Sequence, residues 1–231
     1  MDIRGFIETS FLDWDGKLSS VIFVPNCNYN CPFCSNSSLI RKIESLPSID
    51  PAVVEDFIVK REKFIDGLVI TGGEPTLQPD LPDYIRRIKS LGFLVKLDTN
   101  GSSPKMLKEL ISQKLVDYIA MDIKAPLDER YHKVTGRPMD LKSVKESVRE
   151  IINSGIDHEF RTTVCPSFLG EKDIEEIAAA LVGAKKYVLQ QFVPRDTLDP
   201  ALEKVAPYPK EELERMAEVG NRYVKTALRG V

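Results

Sequence analysis

Residues 20–34 read SVIFVPNCNYNCPFC, a short apolar run that leads directly into three cysteines. The run at 20–24 is rich in β-branched and aromatic residues and predicts a strand. Cys27, Cys31 and Cys34 follow it with the spacing C-x3-C-x2-C. Clustered thiols in a reducing compartment ligate metals more often than they form disulfides. This stretch therefore predicts a metal-binding loop at the carboxyl end of a strand.

The rest of the chain alternates apolar runs with segments of helical period. Five further runs predict strands, at 67–71, 93–97, 117–123, 158–164 and 187–192. Helices are expected between them, and a last helix over about 209–228. Six strands in strict alternation with helices predict a parallel sheet, but six units are too few to close an eight-stranded barrel. The predicted fold is therefore α/β, an open partial (β/α)6 barrel in a single domain over 1–231 with its core at about 17–195.

The composition and charge of the chain limit the classes of partner that it can bind. The 231 residues include 32 basic and 35 acidic side chains, a formal net charge of −3, and the basic residues are scattered. No nucleic-acid partner is expected from such a surface. No apolar run reaches the roughly 18–20 residues that a membrane span needs, and residues 1–5 do not begin a signal peptide. We therefore expect a cytoplasmic protein without a membrane partner.

The number of thiols in the loop narrows the choice of metal. Structural zinc sites are usually closed by four Cys or His ligands, and both His132 and His158 lie far from the loop. A cubane iron–sulfur cluster held by three thiolates would leave one iron open to another ligand. A zinc site completed by Cys165, or buried thiols without a function, remain as alternatives. Cys165 itself is expected to be a packed thiol.

Polar motifs follow three more of the predicted strands. Residues 71–75 read TGGEP, in which Gly72 and Gly73 would let the backbone approach a ligand and Glu74 offers an acceptor for an ammonium group. Residues 97–101 read LDTNG, and residues 121–124 read MDIK. The carboxyl ends of barrel strands are where such folds place their active sites.

Strand periodicity also groups the charged residues. Residues two apart on a strand share a face, so Asp122 and Lys124 should project to the same side. The same rule places Glu159, Arg161 and Thr163 on one face of their strand, where Arg161 could bind a carboxylate or a ribose. Charged groups that face inward need a partner, because an unpaired buried charge is costly.

The C-x3-C-x2-C loop after a first strand, with Phe33 just before its third cysteine, resembles the radical S-adenosylmethionine superfamily. The resemblance implies a 4Fe–4S cluster on Cys27, Cys31 and Cys34, whose open iron is chelated by S-adenosylmethionine. Reduction of the cluster would then cleave that cofactor to a 5′-deoxyadenosyl radical. It also implies that Phe33 lies near the adenine and that the GGEP motif, with Gly72, Gly73 and Glu74, binds the methionine amino group.

The later motifs resemble one subgroup, the activating enzymes of glycyl-radical enzymes. By that resemblance the DTNG motif, with Asp98 and Asn100, belongs to the cofactor site, and Asp98 and Asp122 help to bind a monovalent cation. Lys124 would contact S-adenosylmethionine, and Arg161 is assigned to the same site. Two features depart from the subgroup: Ser35 stands where many activases have histidine, and Gln190-Gln191 offers no histidine for the adenine.

The run of residues 121–126 together with 159–163 is most similar to anaerobic ribonucleoside-triphosphate reductase activating proteins. That resemblance implies a glycyl-radical enzyme as partner, with the anaerobic ribonucleotide reductase favoured, and a flavodoxin or ferredoxin as electron donor. Two alternatives stay open. The first is a radical enzyme that acts on a small molecule or another protein, and the second is a zinc-binding protein without catalysis.

Overall fold

The computed structural model describes residues 1–231 and contains one eight-stranded sheet whose strands lie side by side in chain order. The strands are β1 (Gly5–Ser10), β2 (Ser19–Val24), β3 (Gly67–Gly72), β4 (Leu94–Thr99), β5 (Tyr118–Asp122), β6 (Asp157–Val164), β7 (Tyr187–Gln191) and β8 (Thr226–Arg229). Only the β1–β2 pair is antiparallel. Because β1 and β8 do not pair with each other, the sheet is an open partial barrel, and the predicted fold class is confirmed.

Helices connect the parallel strands. They are α1 (Ser38–Arg41), α2 (Pro51–Val59), α3 (Leu81–Ser90), α4 (Pro104–Ser112), α5 (Arg130–Thr135), α6 (Leu141–Asn153), α7 (Glu171–Ala180) and α8 (Lys210–Gly220). Aspartate N-caps fix where two of these helices begin. The side chain of Asp50 accepts the amide of Ala52 at the start of α2, and the side chain of Asp140 accepts the amide of Lys142 at the start of α6. None of the helices combines the length and the apolar character that a membrane span requires.

The two faces of the sheet have different surroundings. A cluster of 46 buried apolar residues fills the layer between the strands and the helices. On the inner side of the barrel, Trp14 from the β1–β2 turn packs on Val21 and Val69, with the ring of Tyr118 at 6.0 Å. The turn after β1 therefore fills part of the barrel interior, at the end opposite to the carboxyl ends of the strands.

Both edge strands were missing from the sequence-based prediction, and the final helix was predicted too long. Helix α8 ends at Gly220 rather than near residue 228, and the chain then returns as β8 alongside β7. A side chain at position 220 would place its Cβ 2.6 Å from Thr226 Oγ1, so glycine permits this close return. Asn221 secures the turn, since its side chain both accepts from the amide of Thr226 and donates to its carbonyl. Strands of four to six residues at an edge carry too weak an alternation to be recognised.

Candidate active site

A cavity of about 390 Å³ lies at the carboxyl ends of the strands. This size is within the range of cofactor sites. All the residues that the sequence analysis assigned to the site line this cavity. They are Cys27, Cys31, Phe33, Cys34, Gly72, Gly73, Glu74, Asp98, Asn100, Asp122, Lys124 and Arg161. The fourth cysteine, Cys165, is fully buried in the core and does not line it.

The cysteine loop is held in place by backbone hydrogen bonds from distant segments. At its start Asn26 adopts a left-handed φ of 67° and donates its amide to the carbonyl of Leu39. The amide of Asn30 donates to the carbonyl of Thr135, at the end of α5. The carbonyl of Pro32 accepts the amide of Asp199, and the carbonyl of Cys34 accepts the amide of Leu198. Backbone hydrogen bonds from three separate segments therefore hold the loop.

All four cysteines are free thiols. Burial raises the pKa of Cys27 to about 11 and that of Cys31 to about 12, and it also raises the pKa of Cys34. A metal binds the thiolate form, so its binding displaces the thiol protons. The donor set fits a 4Fe–4S cluster, since thiolates are its ordinary ligands and each binds a different iron. No three Cys, His, Asp or Glu side chains are grouped so as to hold one metal ion between them.

Two N–H groups point at the sulfur of Cys27. The amide of Tyr29 lies 3.4 Å from Cys27 Sγ, and Asn100 Nδ2 lies 3.8 Å from it. Asn100 also donates to Asn28 Oδ1 at 2.9 Å, which ties the cysteine loop to the end of β4. Hydrogen bonds to a ligand sulfur are among the features that set the potential of a bound cluster.

The two glycines of the GGEP motif serve the packing of the chain on itself. A Cβ on Gly72, whose φ is 121°, would lie 2.5 Å from backbone atoms of Val24. A Cβ on Gly73 would lie 1.9 Å from the carbonyl oxygen of Asn26. These glycines therefore make room for the backbone that leads into the cysteine loop. Both still line the cavity.

Glu74 is completely buried and acts as a hydrogen-bond acceptor for the protein itself. Its Oε1 accepts from the amide and the hydroxyl of Thr76 and from the hydroxyl of Thr99, and its Oε2 accepts from the amide of Asn100. Burial raises the pKa of Glu74, although these hydrogen bonds act in the opposite direction. The motif analysis missed this role, because it depends on which strands are neighbours.

Four charged side chains form a compact group on the cavity wall. Arg161 Nε lies 2.8 Å from Asp122 Oδ1, and Arg161 Nη1 lies 2.8 Å from Asp98 Oδ2. Lys124 Nζ lies 2.9 Å from Asp122 Oδ2. Burial alone would raise the pKa of Asp122, but Arg161 and then Lys124 lower it to about 2. The sequence predicted that these residues face one site, but it did not predict that they pair with one another.

The predicted monovalent-cation site between Asp98 and Asp122 does not fit this arrangement. The guanidinium of Arg161 already spans the two carboxylates, and Lys124 takes a further oxygen of Asp122. Only Asp98 Oδ1 has no hydrogen-bond partner, and it is buried 3.8 Å from Lys96 Nζ. One remaining oxygen is too few for a cation site, since hard cations collect several oxygen ligands.

Several residues of the site were not singled out from the sequence. The hydroxyl of Tyr131 accepts the amide of Lys124 at 3.2 Å and so holds the end of β5. Asp13, from the β1–β2 turn, lines the cavity although no motif surrounds it. Gln190 and Gln191, noted in the sequence only because neither is a histidine, also line the cavity. Spacing could not reveal these residues, because the fold of the open barrel brings them in from separate segments.

Phe33 is only 6% exposed, and its ring centroid lies 6.0 Å from that of Phe168. It thus packs in the core and lines the cavity at once. His132 lies in α5, where its Nδ1 accepts the amide of Met139 at 3.2 Å.

Comparison with known proteins agrees with this geometry. Residues 21–181 match the model of the radical SAM superfamily. The chain is 35% identical over 229 residues to a protein of Methanocaldococcus jannaschii named "Putative glycyl-radical enzyme activating enzyme", with 96% of this chain and 92% of that protein covered.

The solved structures that share the fold include the following two. One is a domain of the pyruvate-formate lyase-activating enzyme of Bacteroides vulgatus, with a TM-score of 0.58, 18% identity, and coverage of 71% of this chain and 99% of that domain. The other is Streptococcus suis SuiB bound to the precursor peptide SuiA, with a TM-score of 0.71, 15% identity, and coverage of 91% of this chain and 48% of SuiB. With a cavity lined by the three loop cysteines and a family match over most of its length, the chain belongs to the radical SAM superfamily.

Proposed function

We propose that this chain is the activating enzyme of a glycyl-radical enzyme. It binds one 4Fe–4S cluster through Cys27, Cys31 and Cys34 and cleaves S-adenosylmethionine reductively. The observation that carries the proposal is that these three thiols open onto the same cavity as the polar residues at the ends of β3 to β6, whereas Cys165 does not. The similarity to the M. jannaschii protein, which extends over nearly the whole of both chains, supports the activase assignment.

When bound, the cluster and S-adenosylmethionine supply a carbon-centred radical that can take a hydrogen atom from a glycine α-carbon. The residues of the chain bind S-adenosylmethionine and orient it in the cavity. Lys124 and Arg161 bring two positive charges to the cavity wall, which suits the methionine carboxylate. Phe33 offers a flat apolar face suited to the adenine. Gly72, Gly73 and Glu74 form the wall next to the cysteine loop, where the amino group is assigned.

The partner that we favour is the anaerobic ribonucleoside-triphosphate reductase, with a flavodoxin or ferredoxin as electron donor. The support for this partner is the resemblance of residues 121–126 and 159–163 to activating proteins of that reductase. Access supports a macromolecular substrate, because β1 and β8 do not pair and the barrel is left open for an entering loop. Four free cysteines and an iron–sulfur cluster fit a reducing compartment, so we place the enzyme in the cytoplasm.

The test is an anaerobic mixture of the reconstituted enzyme, S-adenosylmethionine, a strong one-electron reductant and the glycyl-radical subunit. The partner should acquire a glycyl radical, detected by electron paramagnetic resonance. If its glycine α-carbon carries deuterium, that deuterium should appear in the 5′-deoxyadenosine. The activase proposal fails if the deuterium never appears there while a small molecule in the mixture donates its hydrogen instead.

A further inference from the structure

The strongest unexplained feature of the cavity is the position of Arg161. Its guanidinium donates through Nε to Asp122 and through Nη1 to Asp98, both at 2.8 Å. Arg161 and Asp98 are each only 9% exposed. A guanidinium presents several N–H donors in a rigid fork, which lets one side chain join two carboxylates.

The sheet register builds this bridge into the fold. Asp122 and Arg161 are direct partners across the β5–β6 pair, and Asp98 lies on β4, the next strand beyond β5. Three neighbouring strands therefore deliver the two carboxylates and the guanidinium to one place. Such an arrangement is preorganised, since the backbone of the sheet fixes all three Cα positions.

Both carboxylates of the group already have cationic partners. Asp98 and Asp122 carry two negative charges, and Arg161, Lys124 and Lys96 bring three positive charges within 3.8 Å of them. A metal cation added here would leave a net positive charge in a largely buried site, beside three cations that it would repel.

We infer that Arg161 is the resident counter-cation of this site, so that it takes the place of a monovalent metal ion between Asp98 and Asp122. Its importance for S-adenosylmethionine rests on the proposed function. Its effect on metal ions concerns the protein alone and can be measured without cluster or cofactor.

The experiment compares the full chain with Arg161→Gln in sodium, potassium or tetramethylammonium chloride at equal ionic strength. Melting temperature is the primary readout, and the dissociation constant of S-adenosylmethionine for the cluster-loaded protein is the second. The wild type should melt at the same temperature in all three salts. Arg161→Gln should be stabilised by a metal ion by about 3–5 °C, the shift expected when an ion is present at about ten times its dissociation constant. Arg149→Gln is the matched control, because Arg149 is exposed and makes no ion pair.

If Arg161→Gln does not fold, Arg161→Lys replaces it, since a lysine keeps the charge but loses the fork that joins both carboxylates. A smaller stabilisation by the metal ions is then expected. The inference is overturned if sodium or potassium raises the melting temperature or the cofactor affinity of the wild type above the value in tetramethylammonium. It is equally overturned if the Arg161 variants are as indifferent to metal ions as the wild type. A protein that binds no S-adenosylmethionine would refute the proposed function and leave the melting comparison valid.

Discussion

The backbone amide of Asn100 donates to Glu74 Oε2 at 2.6 Å and so joins the end of β4 to the residue that follows β3. The other carboxylate oxygen of Glu74 accepts from Thr76 and Thr99. Four donors thus converge on one fully buried carboxylate. Glu74 therefore supports the wall of the cavity in addition to any contact that it makes with a cofactor.

We expect Glu74→Ala to destabilise the whole protein as well as to weaken cofactor binding. The change leaves buried N–H and O–H donors without an acceptor, which costs about 1–3 kcal/mol for each unsatisfied group. A loss of roughly 2–4 kcal/mol should lower the melting temperature by about 2–4 °C per kcal/mol. The melting temperature is measured by thermal unfolding, with circular dichroism as the signal.

Glu62→Ala is the control for this prediction, because Glu62 is exposed and its side chain makes no hydrogen bond. It should change the melting temperature little. Glu74→Gln should not rescue the protein, since its NH2 group would face donors where the carboxylate accepts. A Glu74→Ala variant as stable as Glu62→Ala would show that the four hydrogen bonds contribute nothing to stability.

The cysteine assignment predicts metal content. Anaerobically reconstituted protein should hold about four irons and four sulfides per chain. Replacement of Cys27, Cys31 or Cys34 by Ala should abolish this content. Cys165→Ala is the matched control and should keep it, because Cys165 is buried in the core away from the cavity. Iron and sulfide analysis decides the matter, and loss of the cluster in Cys165→Ala with retention in one of the others would contradict the assignment.

The position of Lys124 predicts a defect in cofactor binding that spares the cluster. Its ammonium group lies on the cavity wall with Asp122 as its partner. Removal of the charged partner of the methionine carboxylate from this desolvated site should cost roughly 2–5 kcal/mol of binding free energy. Lys124→Ala should therefore bind S-adenosylmethionine at least about thirtyfold more weakly. Equilibrium dialysis measures the affinity, with the exposed Lys145→Ala as control. Equal affinity in Lys124→Ala and the control would remove Lys124 from the site.

The ion pairs of Asp122 predict a dependence of stability on acid pH. Its pKa is lowered from 3.8 to about 2 in the folded protein, so its ion pairs contribute fully above pH 4–5 and are lost as the pH falls towards 2. The difference between the pKa of Asp122 in the unfolded and the folded protein corresponds to about 2 kcal/mol of stability. In urea unfolding, Asp122→Asn should be less stable than the wild type at pH 5 and closer to it at pH 2.5. A gap that stays constant between these two pH values would mean that Asp122 does not titrate in this way.

Hydrophobic periodicity was enough to predict the six central strands and the longer helices between them. Periodicity is a local property, because the apolar residues of each strand from β2 to β7 show by themselves that the strand is buried. The same reading placed the cysteine loop and the GGEP, DTNG and MDIK motifs at the carboxyl ends of their strands, where the structure has them. For these residues the chain order of the strands is also their spatial order, so the topology added nothing unexpected.

The pairing of side chains was decided only by the tertiary structure. The bridge from Arg161 to Asp98 joins residues 63 positions apart, and that from Arg229 to Glu159 joins residues 70 positions apart. Strand β8, which carries Arg229, is four residues long and became recognisable only through its pairing with β7. The physical reason is register: which donor meets which acceptor depends on how strands distant in the chain align, and no single strand contains that information. Local pattern therefore determined where the site lies, whereas the alignment of the strands determined that Asp98 and Asp122 hold an arginine.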